Sequence, residues 1–181
     1  MKYIEIVSTK SKKKFAFFSW LIMWWTDRDI SHVARRALIG GEVMYYQASE
    51  GKVNYEHSSF FEKKHKTIRE YRLEVPDHIF QKIISSCLHE CGGNYGIAQN
   101  IGIAMVDIAN KLRINIKNPF VTGRVCSELL YAVAFKELIP SLDWDENTIK
   151  PHQIEEIINT YFKKGKDGIY RLSLIKSQII D

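Results

Sequence analysis

The first half of the chain alternates apolar and polar residues with the two-residue period of β-strands. Residues 2–8 show this alternation from the start of the chain. Residues 32–39 and 42–48 flank Gly40-Gly41, a tight-turn pair, and therefore predict a hairpin. Two further strands are predicted at residues 52–56 and 67–75, and a helix at residues 12–25. The first half is therefore expected to be mostly sheet.

The second half has the spacing of helices. Pro76 and Asp77 begin a stretch that runs to residue 91, with apolar residues at helical spacing and Gly92-Gly93 as its end. Further helices are predicted at residues 100–111, 123–138 and 152–162, and a last strand at residues 168–174. We therefore predict one α+β domain over residues 1–181, in which an early antiparallel sheet packs against late helices.

Composition narrows the class of protein. The 181 residues are 45% hydrophobic, which suits one domain with a real core, and the net charge of +5 favours anionic partners. Three cysteines make a secreted disulfide framework improbable, so a cytoplasmic or otherwise reducing compartment is expected. The basic and then apolar stretch at residues 12–25 is too short for a membrane span and lacks a small-residue cleavage site.

Cys126 is the first candidate for chemistry. A cysteine is a useful nucleophile only as the thiolate, and a place in the first turn of a helix beside a histidine lowers its pKa. Cys126 follows Gly123 at the predicted start of a helix. A small buried cysteine inside a helix is the structural alternative.

His32 and Gln47 are the candidate partners of this cysteine. His32 starts the first strand of the predicted hairpin, and Gln47 ends the second, at a similar distance from the turn. An amide oxygen can fix the tautomer and the ring orientation of a histidine base. We therefore expect Gln47 to orient His32.

Three short motifs carry a resemblance to a known family. The segments Ser31-His32-Val33-Ala34, Tyr46-Gln47-Ala48 and Val125-Cys126-Ser127-Glu128-Leu129 occur in the order found in the circularly permuted papain-like amidases. These proteins are the YaeF/YiiX-like relatives of the NlpC-type cell-wall peptidases. The resemblance implies a papain-like, NlpC-type fold in permuted order, with Cys126 as nucleophile, His32 as base and Gln47 as the orienting residue.

The resemblance also implies substrate contacts and two departures from the family pattern. Tyr95, in the segment Gly93-Asn94-Tyr95-Gly96, and Ser127 are the expected substrate-binding residues. Family members often have glutamate where Gln47 stands, and an aspartate where Gly96 follows the tyrosine. The orienting residue is therefore neutral in this chain, and a fold with an inactive site is one alternative.

The chemistry implied is acyl transfer by a thiolate, with no cofactor. The expected substrate is an amide or ester, first of all a cell-wall peptide derived from peptidoglycan. The alternative is a lipid acyltransferase or thioesterase, and the apolar residues 15–25 behind a cluster of lysines would suit an anionic membrane surface.

Two other hypotheses compete with an enzyme. Cys87 and Cys91 share a helix face, but no second ligand pair follows at suitable spacing, so a structural zinc site is not expected. A basic module that binds nucleic acid or protein would use Arg35, Arg36 and the lysines at residues 63–66 and 163–166. No recognised motif interleaves these charges with aromatic residues, so nucleic acid is an unlikely partner.

Overall fold

The structure is a computed structural model that describes residues 2–12, 17–49, 51–120 and 123–173. Its strands are β1 (Lys2–Ser11), β2 (His32–Ile39), β3 (Glu42–Ser49), β4 (Lys52–His57), β5 (His65–Val75), β6 (Phe162–Lys164) and β7 (Tyr170–Leu172). Its helices are α1 (Phe17–Thr26), α2 (Ser58–Lys64), α3 (Asp77–Glu90), α4 (Ile97–Lys111), α5 (Cys126–Leu130), α6 (Lys136–Leu138) and α7 (Pro151–Tyr161). A π-helical segment, Tyr131–Phe135, joins α5 to α6, and a 3₁₀ turn forms at Glu146–Thr148.

Seven strands form one sheet in the order β4-β3-β2-β1-β5-β7-β6. Every pair is antiparallel except β5 with β7. Gly40 and Gly41 both take positive φ, at 61° and 87°, which is the conformation that the predicted two-residue hairpin turn requires. The α+β fold class predicted from the sequence is thus confirmed.

The two faces of the sheet are covered differently. Ile4, Ile6, Val33 and Tyr46 are fully buried on one face, against a layer formed by α3, the α5–α6 segment and α7. On the other face α2 covers a smaller cluster around Phe61. Because successive side chains of a strand point to opposite faces, β2 contributes to both cores.

The helix that carries Cys126 begins later than predicted. The segment before it, at residues 94–96, pairs with residues 123–124: Gly96 N–H donates to the Arg124 carbonyl at 3.1 Å and Arg124 N–H to the Asn94 carbonyl at 2.9 Å. A side chain at Gly123 would meet the Asn94 carbonyl oxygen at 2.7 Å, so only glycine allows this approach. This pairing holds residues 123–124 extended, and the helix starts at Cys126.

Some elements differ from the sequence-based expectation. Helix α2 was not predicted, because its run of lysines indicated a solvated surface, yet its Phe61 is fully buried. Strand β6 was also missed. The predicted helix at residues 12–25 is observed as α1, although residues 13–16 lie outside the described residues. The last strand is shorter than predicted, and residue 174 is likewise not described.

Candidate active site

His32 and Gln47 come together at one end of the hairpin. The backbones of β2 and β3 pair from the turn as far as Arg35 with Tyr46. Beyond that pair, a side-chain hydrogen bond links the two strands. The His32 Nε2 and Gln47 Oε1 atoms are 2.7 Å apart. An amide oxygen only accepts hydrogen bonds, so Nε2 carries the proton of the neutral ring. Nδ1 is then left unprotonated, as a general base must be.

A polar chain behind Gln47 fixes its orientation. Gln47 Nε2 donates to Glu56 Oε2 at 2.7 Å, and Lys64 Nζ donates to Glu56 Oε1 at 2.8 Å. The amide cannot flip without facing its nitrogen towards the imidazole Nε2–H and its oxygen towards a carboxylate. The sequence analysis did not identify Glu56. Family members often carry a carboxylate at the position of Gln47, and here the carboxylate of Glu56 lies directly behind Gln47 instead. Only its place on β4, across the hairpin from Tyr45, could have indicated it.

Aromatic rings bury the His32 imidazole. His65 stacks on it with ring centroids 4.8 Å apart, and Phe61 lies at 6.2 Å. Burial lowers the pKa of His32 to about 4, against the opposing effect of its hydrogen bond to Gln47. Burial likewise lowers the pKa of His65 to about 3, and the neighbouring His32 adds to the effect. Both rings are therefore neutral at physiological pH.

Cys126 occupies the first position of its helix, and its side chain is only 6% exposed. The backbone N–H groups of Val33, Ser127 and Cys126 itself favour the thiolate, as expected at a helix start. Burial outweighs them and raises the pKa of the thiol to about 11. The lowered pKa predicted from the sequence is therefore wrong for this conformation, because the cost of desolvating the thiolate exceeds the stabilisation by the amides.

The structure does not bring Cys126 into hydrogen-bond contact with His32. The sulfur lies against the backbone amide of Val33, one residue further along β2. Val33 and Cys126 both belong to the core on the helix side of the sheet. The His32 ring packs instead on Phe61 and His65 under α2. The Cys126 sulfur and the His32 ring therefore lie beside adjacent residues of β2, but their side chains are on different faces of the sheet.

Tyr95, the predicted substrate contact, lies beside Cys126. Both line a narrow pocket of about 20 Å³, which also includes Ile22 of α1 and Ile103 of α4. The pairing of residues 94–96 with residues 123–124 positions Tyr95, whose hydroxyl accepts a hydrogen bond from Asn100 Nδ2 at 2.9 Å. Burial raises the pKa of Tyr95, so its hydroxyl stays protonated and can donate to a substrate.

Ser127 has a structural hydrogen bond instead of a free hydroxyl. It is almost fully buried, and its Oγ donates to the Ile149 carbonyl at 2.5 Å. The bond ties the start of α5 to the segment before α7. The substrate contact expected of Ser127 would require this bond to break.

The buried side chain of Glu128 caps the first turn of α5. Its Oε2 accepts from the Val125 N–H at 3.1 Å, and its Oε1 accepts from Gln99 Nε2. Burial raises the pKa of Glu128 to about 7, although both hydrogen bonds oppose the shift. Sequence reasoning quoted this residue as part of a motif and gave it no role.

The structure also places the residues named in the competing hypotheses. Cys87 is buried while Cys91 is exposed, and the described part of the chain contains no group of three or more His, Cys, Asp or Glu side chains arranged for a metal. Of the proposed basic residues, Arg35 is buried and Arg36 bonds Glu5 at 2.8 Å. No helix of the described residues is long and apolar enough to cross a membrane.

Sequence comparisons give no family assignment: no family model matches the chain, and no curated protein matches it. Comparison of structures does find similar proteins. The crystal structure of the metalloprotein YiiX from Escherichia coli O157:H7 aligns with a TM-score of 0.50 at 14% sequence identity. The alignment covers 93% of this chain and 87% of YiiX. The fold of this protein is therefore that of YiiX, as the three sequence motifs predicted.

Proposed function

We propose that this protein is a thiol hydrolase that cleaves an amide or ester by acyl transfer through Cys126. The observation that carries the proposal is the hydrogen bond from His32 Nε2 to Gln47 Oε1. It leaves an unprotonated Nδ1 on the strand whose next amide, that of Val33, contacts the Cys126 sulfur. A base with a fixed tautomer and a cysteine at a helix start are two of the groups that thiol acyl transfer uses.

The reaction divides into two steps. Cys126 Sγ attacks the substrate carbonyl as His32 Nδ1 takes the thiol proton, and backbone N–H groups at the start of α5 stabilise the oxyanion. His32 returns the proton to the departing amine or alcohol, which leaves a thioester on Cys126. Water then attacks the thioester, with His32 Nδ1 taking its proton, and the thiol and a carboxylic acid are released.

The first step requires a side-chain movement, because the thiol and the imidazole do not touch in the resting structure. Both groups are buried and neutral there, with the pKa of Cys126 raised to about 11 and that of His32 lowered to about 4. A substrate that enters between α1 and α4 would displace the residues covering the thiol. Because His32 is the first residue of β2 and its ring lies on the α2 side of the sheet, we propose that this opening lets the start of β2 turn until the imidazole reaches the thiol.

A cell-wall peptide is the first substrate class we propose. The net charge of +5 suits a fragment of an anionic polymer such as peptidoglycan. The Tyr95 hydroxyl, together with Asn100, offers polar contacts at the pocket for a peptide backbone.

A specific observation supports an acyl lipid as the second candidate. Helix α1 exposes Trp20 and Trp24, stacked with ring centroids 6.0 Å apart, and α4 exposes Ile101, Met105 and Ile108. Both helices line the pocket at Cys126. An apolar surface on both sides of the nucleophile suits contact with a membrane surface and an acyl chain.

YiiX is described as a metalloprotein. The described residues offer no group of three or more potential metal ligands.

The test is the trapping of an acyl-enzyme. The wild-type protein is incubated with p-nitrophenyl esters of short and long acids and with peptidoglycan peptides, and adducts are located by mass spectrometry. We expect acylation at Cys126 in the wild type and in Cys91→Ala, the matched control at the exposed cysteine. We expect none in His32→Ala.

The same experiment can overturn the proposal and choose the substrate class. Labelling of Cys91 while Cys126 remains free, or labelling of Cys126 that persists at the same rate in His32→Ala, would contradict it. Adducts only from long-chain esters would favour the lipid, and adducts only from peptides would favour the amidase.

A further inference from the structure

A second cavity, whose lining does not include Cys126, lies where the sheet opens. Strands β1 and β2 pair only from Glu5 with Arg36 to Thr9 with His32, yet β1 extends back to Lys2 and β2 extends on to Ile39. The two strands diverge there and leave a groove of about 990 Å³. Its size is at the upper end of the range typical of small-molecule sites.

The wall of this groove is mostly apolar. Its lining includes Leu38, Ile39 and Met44 from the hairpin, together with Phe80, Ile84 and Leu88 from α3. Leu38 and Leu88 are 73% and 61% exposed, respectively. Large exposed leucines that face one another across a groove indicate a surface that another molecule covers.

A buried arginine lies in the groove. Arg35 is only 3% exposed, and its Nε is buried without a hydrogen-bond partner. Its Nη1 donates to the Tyr55 hydroxyl at 3.1 Å, and the guanidinium lies 6.0 Å from the centre of the Phe80 ring. No carboxylate among the described residues forms an ion pair with it. A buried guanidinium without an anion is costly, so its presence needs an explanation.

The other charges of the groove also favour an anion. Lys2, Arg36 and Arg72 line it with Arg35, and Glu5 is the carboxylate in its lining. Arg36 and Arg72 both bond Glu5, at 2.8 and 3.2 Å. Glu5 is therefore already paired, and Arg35, the deepest of these cations, has no carboxylate partner among the described residues.

We propose that this groove binds an amphiphilic carboxylate, with its head on Arg35 and its apolar body along Leu38, Ile84 and Leu88. The guanidinium would donate to a carboxylate oxygen in a charge-assisted hydrogen bond, after a local movement that exposes its buried Nε. The apolar body would cover the exposed leucines. Neither Cys126, His32 nor Tyr95 lines this groove, so the site is separate from the proposed active site.

The test compares ligands that share a ten-carbon chain and differ in the head group. Decanoate, methyl decanoate and decylamine are titrated into the full-length protein by calorimetry, with acetate as the control without a chain. We expect decanoate to bind at least ten times more tightly than the ester or the amine, and acetate not to bind. Equal binding of decanoate and its ester would overturn the proposal, as would no binding of decanoate at 1 mM, about a thousand times weaker than a micromolar site.

Three variants locate the ligand. Arg35→Met should weaken decanoate binding by about 10- to 100-fold, because it removes a hydrogen bond to a charged group. Arg28→Met, at an arginine outside the groove, is the matched control and should change binding less than 3-fold, which is about half of the free energy of a tenfold change. Cys126→Ala should leave binding unchanged, and loss of binding in Cys126→Ala would place the ligand in the catalytic pocket and refute this site.

Stability separates a binding role of Arg35 from a structural one. Arg35→Met replaces an unpaired buried cation by an apolar chain of similar length, which is often neutral or stabilising. We therefore expect an unchanged or raised melting temperature without ligand. Wild-type binding of decanoate by a folded Arg35→Gln variant, which lacks the positive charge, would show that Arg35 does not recognise the carboxylate and would overturn the proposal.

Discussion

The two faces of the sheet differ in how they hold the two halves of the candidate active site. On the helix side, Cys126 lies in an apolar core beside Tyr95, with backbone amides at its sulfur. On the side of α2, His32 belongs to a chain of polar groups that runs through Gln47 and Glu56. The helix side thus holds a cysteine whose sulfur contacts backbone amides, and the α2 side holds a histidine whose orientation is fixed.

Burial acts on both halves and gives the same result. It raises the pKa of the thiol and lowers that of the imidazole, so each group is held in its uncharged form. The polar chain behind His32 fixes the tautomer, yet it does not restore the pKa. Orienting the imidazole and shifting the pKa values towards catalysis are therefore separate properties of a site. This structure orients the His32 ring but does not activate the thiol.

The largest loss of activity is expected from removing the Cys126 thiol or the His32 imidazole. Cys126→Ala should abolish turnover of an ester that acylates the wild type, and His32→Ala should reduce it by about 10²- to 10⁴-fold, the usual range for a general base. The measurement is steady-state release of p-nitrophenol, with Cys91→Ala as the control. Equal rates in wild type and His32→Ala would show that the base lies elsewhere.

Truncating a buried side chain on one face of the sheet should change the environment of the candidate residue on that face alone. Phe61→Ala and Leu129→Ala each delete a fully buried side chain, and each should cost about 2–5 kcal/mol of unfolding free energy. Only Phe61→Ala should let water reach His32 and move its pKa up towards 6.5, because Leu129 packs on the opposite face. NMR titration of the His32 ring protons distinguishes the two variants; equal shifts would contradict the separation of the faces.

Acid should destabilise the protein through the histidine side. The pKa of His32 is about 4 in the folded state and about 6.5 in the unfolded state, so the unfolded chain binds more protons between these values. Stability present above pH 6.5 is therefore lost as the pH falls to 4, by on the order of 3 kcal/mol for His32. Urea unfolding from pH 7 to pH 4 measures the loss, which His32→Gln should reduce.

The cysteine side should respond in the opposite direction. Burial raises the pKa of Glu128 to about 7 from an ordinary 4.5, so the folded state retains a proton that the unfolded chain releases. The stability that this proton contributes is lost as the pH rises from 4.5 through 7. Glu128→Gln should remove this dependence and should stabilise the protein at pH 8 by on the order of 2–3 kcal/mol. Unfolding curves of the variant that still decline between pH 5 and pH 8 would assign the effect to another group.

The sequence alone determined the first five strands, the hairpin and the residues of the motifs. Alternation and helical spacing are local properties of the chain, and the glycine pair at residues 40–41 fixes the register that brings His32 near Gln47. The permuted fold was predicted from three short motifs, and the structural match to YiiX confirms it.

The tertiary structure alone decided the protonation states and the partners of these residues. Desolvation depends on what covers a side chain, and His32 is covered by α2, a helix that the sequence did not predict. Glu56, on another strand, completes the chain of hydrogen bonds behind Gln47. The unpaired state of Arg35 likewise emerges only when α3 packs against the open end of the sheet. Such effects combine contributions from segments far apart in the chain, so no local pattern reveals them.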